Sequence, residues 1–297
     1  MAKLKSGIYT PLVTPFKDEK IDYESLSQSI SKLNKTEISG FVLLGSTSEA
    51  PLLNRKERLT LLAESAEEAK KSGKSLIIGV MEESTKEALS FIEHASEYLP
   101  DAYLILPPTY YKPSINADLI ESFYSKIQQQ CSTALLLYNI PLFTAVDIES
   151  ETIIKLANDK IISGWKDSSS DIERFKYICS KTNNTFQNFI GNVNTVHAGL
   201  LDGGTGGILA VSNVLPTLCT ELYNAIVTGK TNEAELIQAE LNKFDENVIK
   251  PFGISGLKAA MDLLGYNGGD LRRPYKKLNT ADLKTVRHFL ESESYIQ

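Results

Sequence analysis

The chain has 297 residues, of which 42% are hydrophobic and 23% charged, a globular balance that excludes long disorder and collagen-like repeats. The length permits two small domains or one large α/β barrel. Lys and Arg number 31 against 37 Asp and Glu, a net charge of −6 without a basic block, which argues against nucleic acid or an anionic membrane as partner.

Short β-rich runs alternate with helical spacing from end to end. Gly7–Thr14 reads as a strand and Tyr23–Leu33 as a helix. Gly40–Leu44 is a strand, and Arg55–Lys71 a helix that Asn54 and Glu57 open as a capping pair. Ser75–Val80 precedes a helix at Thr85–Tyr98. Ala102–Leu106, ended by Pro107-Pro108, precedes one at Ala117–Gln130. Ala134–Asn139 leads to Glu149–Ala157. Ile161–Lys166 leads to Asp171–Lys181, where Ser170 with Glu173 is the expected cap. Thr185–Gly191 is followed by Asn194–Leu201, and Gly206–Val211 by Leu215–Val227.

These are eight strand-then-helix units with a mean repeat of about 27 residues, close to what a (β/α)8 barrel requires. The strands are continuously apolar, as in a parallel sheet covered on both faces. A doubly wound open sheet also alternates, but it more often carries a Gly-rich phosphate turn after its first strand, and Thr10–Phe16 has none. Helical stretches at Asn232–Ile249, Ile254–Leu264 and Ala281–Glu291 follow. The expected fold is therefore α/β, a (β/α)8 TIM barrel over residues 1–228 with a C-terminal helical extension, 229–297, packed on it.

Cys131, Cys179 and Cys219 are odd in number and far apart, which fits a reducing, cytoplasmic setting better than a disulfide framework. Met1–Ser6 carries Lys3 and Lys5, but the apolar stretch behind it is short and broken by Pro11 and Pro15, unlike a signal peptide. No apolar run approaches the roughly 18 residues of a membrane span. His94, His197 and His288 stand alone, so no metal is expected.

In such barrels the reactive groups lie at the C-terminal ends of strands and on the loops that follow. Lys166 closes an apolar strand after Ile161, Ile162 and Trp165. A lone lysine is usually a solvated charge, but one buried at a barrel mouth favours its uncharged, nucleophilic amine. Such an amine adds to a ketone and forms a Schiff base, which serves as an electron sink without a cofactor. Tyr138 ends the preceding strand, either as a core residue with a satisfied hydroxyl or as a proton shuttle beside Lys166. Tyr110 and Tyr111 read as a packed aromatic turn before Pro113. Gly45-Ser46-Thr47-Ser48-Glu49 is either a polar connection or an anion cradle for a carboxylate. Gly203-Gly204-Thr205-Gly206-Gly207 precedes a strand, on the face away from the chemistry. Gly203 suits a helix C-cap, and Gly206 and Gly207 are expected to leave room inside the barrel for a long lysine.

At these residues the chain resembles the pyruvate-dependent class I aldolase superfamily that includes dihydrodipicolinate synthase and N-acetylneuraminate lyase. The resemblance runs from Thr14-Pro15 through Gly256-Leu257-Lys258-Ala259-Ala260. Its most specific pieces are Gly45-Ser46-Thr47-Ser48-Glu49, Tyr138-Asn139-Ile140-Pro141 and Gly164-Trp165-Lys166-Asp167. It implies that Lys166 forms the Schiff base, that Tyr138 relays protons, and that Ser46 and Thr47 bind the pyruvate carboxylate. It implies that Tyr111 reaches a neighbouring subunit's site in a homotetramer, and that the backbone carbonyl of Ile208 lines the pocket.

Two departures bear on the second substrate. The synthase carries an arginine at the position of Phe143, where it grips a semialdehyde carboxylate, and a phenyl ring makes no bidentate contact. Neuraminate lyases carry an acidic pair where Asn192, Val193 and Asn194 follow Gly191 here. Tyr138–Thr144 together with Lys166-Asp167-Ser168-Ser169 resembles archaeal 2-keto-3-deoxygluconate aldolases most, although those usually keep an acidic residue near Val193. The expected reaction joins pyruvate to an aldehyde, foremost glyceraldehyde, or cleaves the 2-keto-3-deoxy sugar acid. Dihydrodipicolinate synthesis, a neuraminate-lyase-like cleavage and non-catalytic sugar-acid binding remain the alternatives.

Overall fold

The computed structural model describes residues 4–296; Met1 to Lys3, part of the basic N-terminal stretch, lie outside the described residues. Eight parallel strands close into a barrel: β1 (Gly7–Pro11), β2 (Gly40–Leu43), β3 (Ser75–Val80), β4 (Ala102–Ile105), β5 (Ala134–Asn139), β6 (Gly164–Asp167), β7 (Gln187–Ile190) and β8 (Gly206–Ile208). Each pairs with the next, and β8 returns to β1 through Gly7 opposite Gly206 and Tyr9 opposite Ile208. The eight expected units form in order.

Helices α1 (Tyr23–Leu33), α2 (Arg55–Lys70), α3 (Thr85–Ala95), α4 (Ala117–Gln128), α5 (Ser150–Asn158), α6 (Ile172–Lys181), α7 (Val196–Leu201) and α8 (Pro216–Val227) surround the strands. Two apolar layers result, as the pleat dictates. Tyr9, Val42, Ile77, Leu104, Leu136 and Phe189 fill the barrel. Phe41, Ile78, Tyr103, Leu137 and Trp165 face the helices. Asn54 and Glu57 cap α2 reciprocally, with bonds of 2.9 and 3.0 Å.

The extension holds α9 (Thr231–Phe244), a π turn at Asp245–Ile249, α10 (Lys250–Leu263) and α11 (Thr280–Ser292). Gly253 breaks the start of α10 at φ 57°, just past Pro251. The segment returns to the barrel mouth, where Asp270 and Phe16 pair their backbones. Among the described residues no helix is long and apolar enough to cross a membrane.

Several boundaries differ from expectation. Strand β8 stops at Ile208 because Ser212 and Asn213 bend Ala210–Asn213 into a tight turn, donating to Leu209 O and Ala210 O. The cap of α6 is Asp171, which accepts from Arg174 N at 2.9 Å. Ser170 lies one residue earlier at φ 71° and accepts instead from Asn192 Nδ2.

Candidate active site

Tyr138 and Lys166 are register partners across β5 and β6, so the barrel lays both side chains inward at the same height. Both are buried. Lys166 Nζ donates to the Tyr138 hydroxyl at 3.2 Å and sits 4.4 Å from the centre of its ring. On the other side the Tyr138 hydroxyl meets Ser46 Oγ at 3.4 Å. Amine, phenol and serine thus form one line at the C-terminal mouth. Among the described residues no acidic side chain is within ion-pair distance of Lys166. Its amine is met instead by the Tyr138 hydroxyl.

Ser46 and buried Thr47 lie on the short 3-10 turn Ser46–Ser48 after β2. Thr14 Oγ1 donates to Ser48 O at 2.7 Å, and Ser48 Oγ donates to Leu12 O at 2.6 Å, tying the turn to the end of β1. Glu49 closes it in the left-handed region at φ 55°. Its carboxylate accepts from Lys258 Nζ at 2.5 Å, a buried pair that spacing along the chain gave no means of foreseeing.

The room beside Lys166 comes from Gly191. A methyl there would collide with Ser168 Oγ and stand 2.8 Å from both Lys166 Cε and Asp167 O. That corrects the expectation for Gly206 and Gly207. A methyl on Gly206 would strike the Gly7 backbone and one on Gly207 would meet Leu209, with Lys166 near neither. Gly206 thus lets β8 close on β1 at the start of the strand. Gly203, at φ 105° just past α7, behaves as the expected cap.

Asp167 points the other way from Lys166, into the wall. It accepts from Asn139 Nδ2 at 2.9 Å and Ser169 Oγ at 2.6 Å. Burial raises its carboxyl above the ordinary range, and those hydrogen bonds only partly oppose this. Asn139 also accepts from Ile148 N at 3.1 Å, so the strand ends carrying Tyr138 and Lys166 share one network with the following loop.

The remaining candidates divide. Ile208 is wholly buried in the barrel layer with Tyr138, and Ser168 and Gly191 flank Lys166. Phe143 and Tyr111 are 68% and 75% exposed, on the connections that follow β5 and β4. Tyr110 and Tyr111 pack edge to face at 5.0 Å. Their loop is anchored by Glu83, which accepts from Thr109 N, Thr109 Oγ1 and Tyr110 N at 2.6–3.0 Å. Burial works to raise the Glu83 carboxyl, yet these donors outweigh it and hold it below its ordinary value. Beyond Gly191 the loop is polar, and one carboxylate, Asp245, meets it through Asn194. Asn192 bonds Ser170, and Asn194 reaches Asp245 at 2.8 Å.

Comparison with known proteins agrees with this architecture over its full length. The model of the dihydrodipicolinate synthetase family matches residues 4–293. A 4-hydroxy-tetrahydrodipicolinate synthase of Thermosipho melanesiensis is 30% identical, with 96% of each chain covered. An L-threo-3-deoxy-hexylosonate aldolase of Hypocrea jecorina is 27% identical, covering 99% of this chain and 98% of the relative. The crystal structure of the Cyanidioschyzon merolae synthase superposes with a TM-score of 0.92 at 24% identity, covering 99% of this chain and 100% of that one, and bears on the fold alone. The molecule is thus a carbon–carbon lyase of the pyruvate-dependent class I aldolase superfamily. Within it, the chain belongs to the dihydrodipicolinate synthetase family.

Proposed function

We propose that this enzyme joins pyruvate reversibly to a neutral, hydroxylated aldehyde, foremost glyceraldehyde, with Lys166 as the Schiff-base amine and no cofactor. The observation that carries the reading is the line from buried Lys166 through buried Tyr138 to half-buried Ser46, at 3.2 and 3.4 Å. Lys166 Nζ attacks C2 of the 2-keto acid while Ser46, Thr47 and nearby N–H groups hold its carboxylate. Tyr138 moves the protons that let the carbinolamine lose water. In cleavage a base near Tyr138 takes the C4 hydroxyl proton, the C3–C4 electrons flow into the iminium, and the aldehyde leaves. The resulting enamine is protonated at C3, and water releases pyruvate and the free amine. Orientation and proton transfer supply the acceleration, and the iminium supplies the electronic path.

Phe143 and the wall of Asn192 and Asn194 support an uncharged acceptor, because none of the three offers a guanidinium fork to a second carboxylate. Tyr111, exposed on this chain, fits the family pattern of reaching a neighbouring subunit in a homotetramer, and a cytoplasmic setting completes the reading. Borohydride reduction in the presence of pyruvate tests it. Intact mass is expected to show one adduct per chain, absent in Lys166→Ala. Among aldehydes assayed with pyruvate, glyceraldehyde is expected to be turned over much faster than aspartate semialdehyde. An adduct that survives Lys166→Ala, or faster use of the semialdehyde, overturns the corresponding half.

A further inference from the structure

One buried charge has no part in the reaction above. Lys258, on α10, is 1% exposed and lies 92 residues beyond Lys166 in the sequence. Its ammonium spends all three donors: on Glu49 Oε1 at 2.5 Å, Thr14 O at 2.7 Å and Asp270 O at 2.6 Å. The second oxygen of Glu49 accepts from Arg272 N at 3.0 Å. Every partner therefore belongs either to the rim around Ser46 or to the C-terminal segment.

The rim side is the informative one. Glu49 is the residue that ends the Ser46–Ser48 turn, its N–H donating to Ser46 O at 3.0 Å. It does so at φ 55°, a conformation that a glutamate adopts only when its surroundings hold it there. Thr14, whose carbonyl takes the second Lys258 bond, donates its own hydroxyl to Ser48 O. Lys258 thus grips both flanks of the turn through two different residues. Simple adhesion of the extension asks for no buried charges, since an apolar pair of similar volume serves as well or better. What the ion pair adds is direction, because hydrogen bonds fix the angle of Glu49 and so the angle at which Ser46 and Thr47 face the mouth.

We propose that Lys258, acting through Glu49, is a positioning residue that sets the Ser46–Thr47 turn to receive the donor's carboxylate. The inference rests on the aldolase reading, and it makes the C-terminal extension part of donor recognition.

The test compares Glu49→Gln, Lys258→Met and the paired Glu49→Leu/Lys258→Met variant as full-length proteins. KM for pyruvate is expected to rise about tenfold in each single variant while kcat stays within about threefold. Borohydride trapping is expected to fall with pyruvate and to hold its wild-type rate with hydroxyacetone, which offers a carbonyl but no carboxylate. The paired variant is expected to regain thermal stability yet keep the raised KM, because packing alone does not orient the turn. Should a single variant fail to fold, the paired variant decides. A wild-type KM in any folded variant, or equal loss of trapping with both donors, overturns the positioning role alone. Failure of the wild-type protein to form any pyruvate adduct overturns the aldolase reading and this proposal together.

Discussion

Lys166 and Lys258 are 6% and 1% exposed, and the difference between them lies in their partners. Lys258 is held by a carboxylate and two carbonyls, although burial works to lower its ammonium below the ordinary lysine range. Lys166 has a phenol hydroxyl and the face of its ring. The first is locked, whereas the second is free to form a bond. The sequence revealed Lys166 because it closes an apolar strand, a local signal. Lys258 stays silent by the same criterion, since Glu49, Thr14 and Asp270 come together only in three dimensions. Asp167, beside Lys166 in sequence, belongs to the wall, and its titration is testable. Burial raises its carboxyl from an ordinary 3.8, so the folded chain holds that proton more tightly than the unfolded chain. Above that ordinary value, ionising Asp167 costs stability as pH rises, until the raised folded value is passed. Asp167→Asn has no proton to lose and keeps Asn139 and Ser169 as partners. Its stability relative to wild type is expected to improve as pH rises past that ordinary value and then level off, read by urea unfolding at each pH. A difference independent of pH would remove the burial argument.

At the scale of elements, helices were legible where caps and apolar spacing agreed, as in α1, which spans the expected Tyr23–Leu33. Strand ends were less so, because apolar residues continue past the last paired residue. Ile161 and Ile162 look like strand, yet β6 begins at Gly164, where the ladder to Gln187 starts. The same register explains why one glycine matters more than the showy run at Gly203–Gly207. Gly191 N donates to Asp167 O at 2.6 Å just beyond the end of β7, which brings its Cα against the Lys166 stem. Ser168 Oγ can swing clear of an added methyl, but the Asp167 carbonyl is backbone and cannot. Gly191→Ala is therefore expected to displace Lys166 from Tyr138 and lower kcat/KM about a hundredfold. Steady-state kinetics with pyruvate and glyceraldehyde, alongside an unchanged circular dichroism spectrum, checks this. Full activity in the variant would show that the strand ends yield more than the backbone geometry allows.

For the whole molecule, the proposed role of Tyr111 is the one that needs a second copy of the chain. Tyr111 stands at the rim with Tyr110 on a loop that Glu83 fastens by three hydrogen bonds, so it is displayed in a defined place. Leu142 and Phe143, also exposed, add apolar surface after β5. The sequence, read as one chain, places Tyr111 in a turn and says nothing of a second copy; only the family resemblance supplies one. If Tyr111 acts across an isologous interface, two inactive variants must complement each other. Lys166→Ala retains the tyrosine and Tyr111→Phe retains the amine. A mixed dimer then holds one complete site, made of Lys166 from one subunit and Tyr111 from its partner. Random mixing in equal amounts makes half of all pairs mixed, each with one working site of two. Co-refolded protein is therefore expected to regain about a quarter of wild-type activity. Each variant refolded alone should stay near its own low level. A mixture no more active than the average of the two would put Tyr111 outside the neighbouring site, and its exposure would then need another explanation.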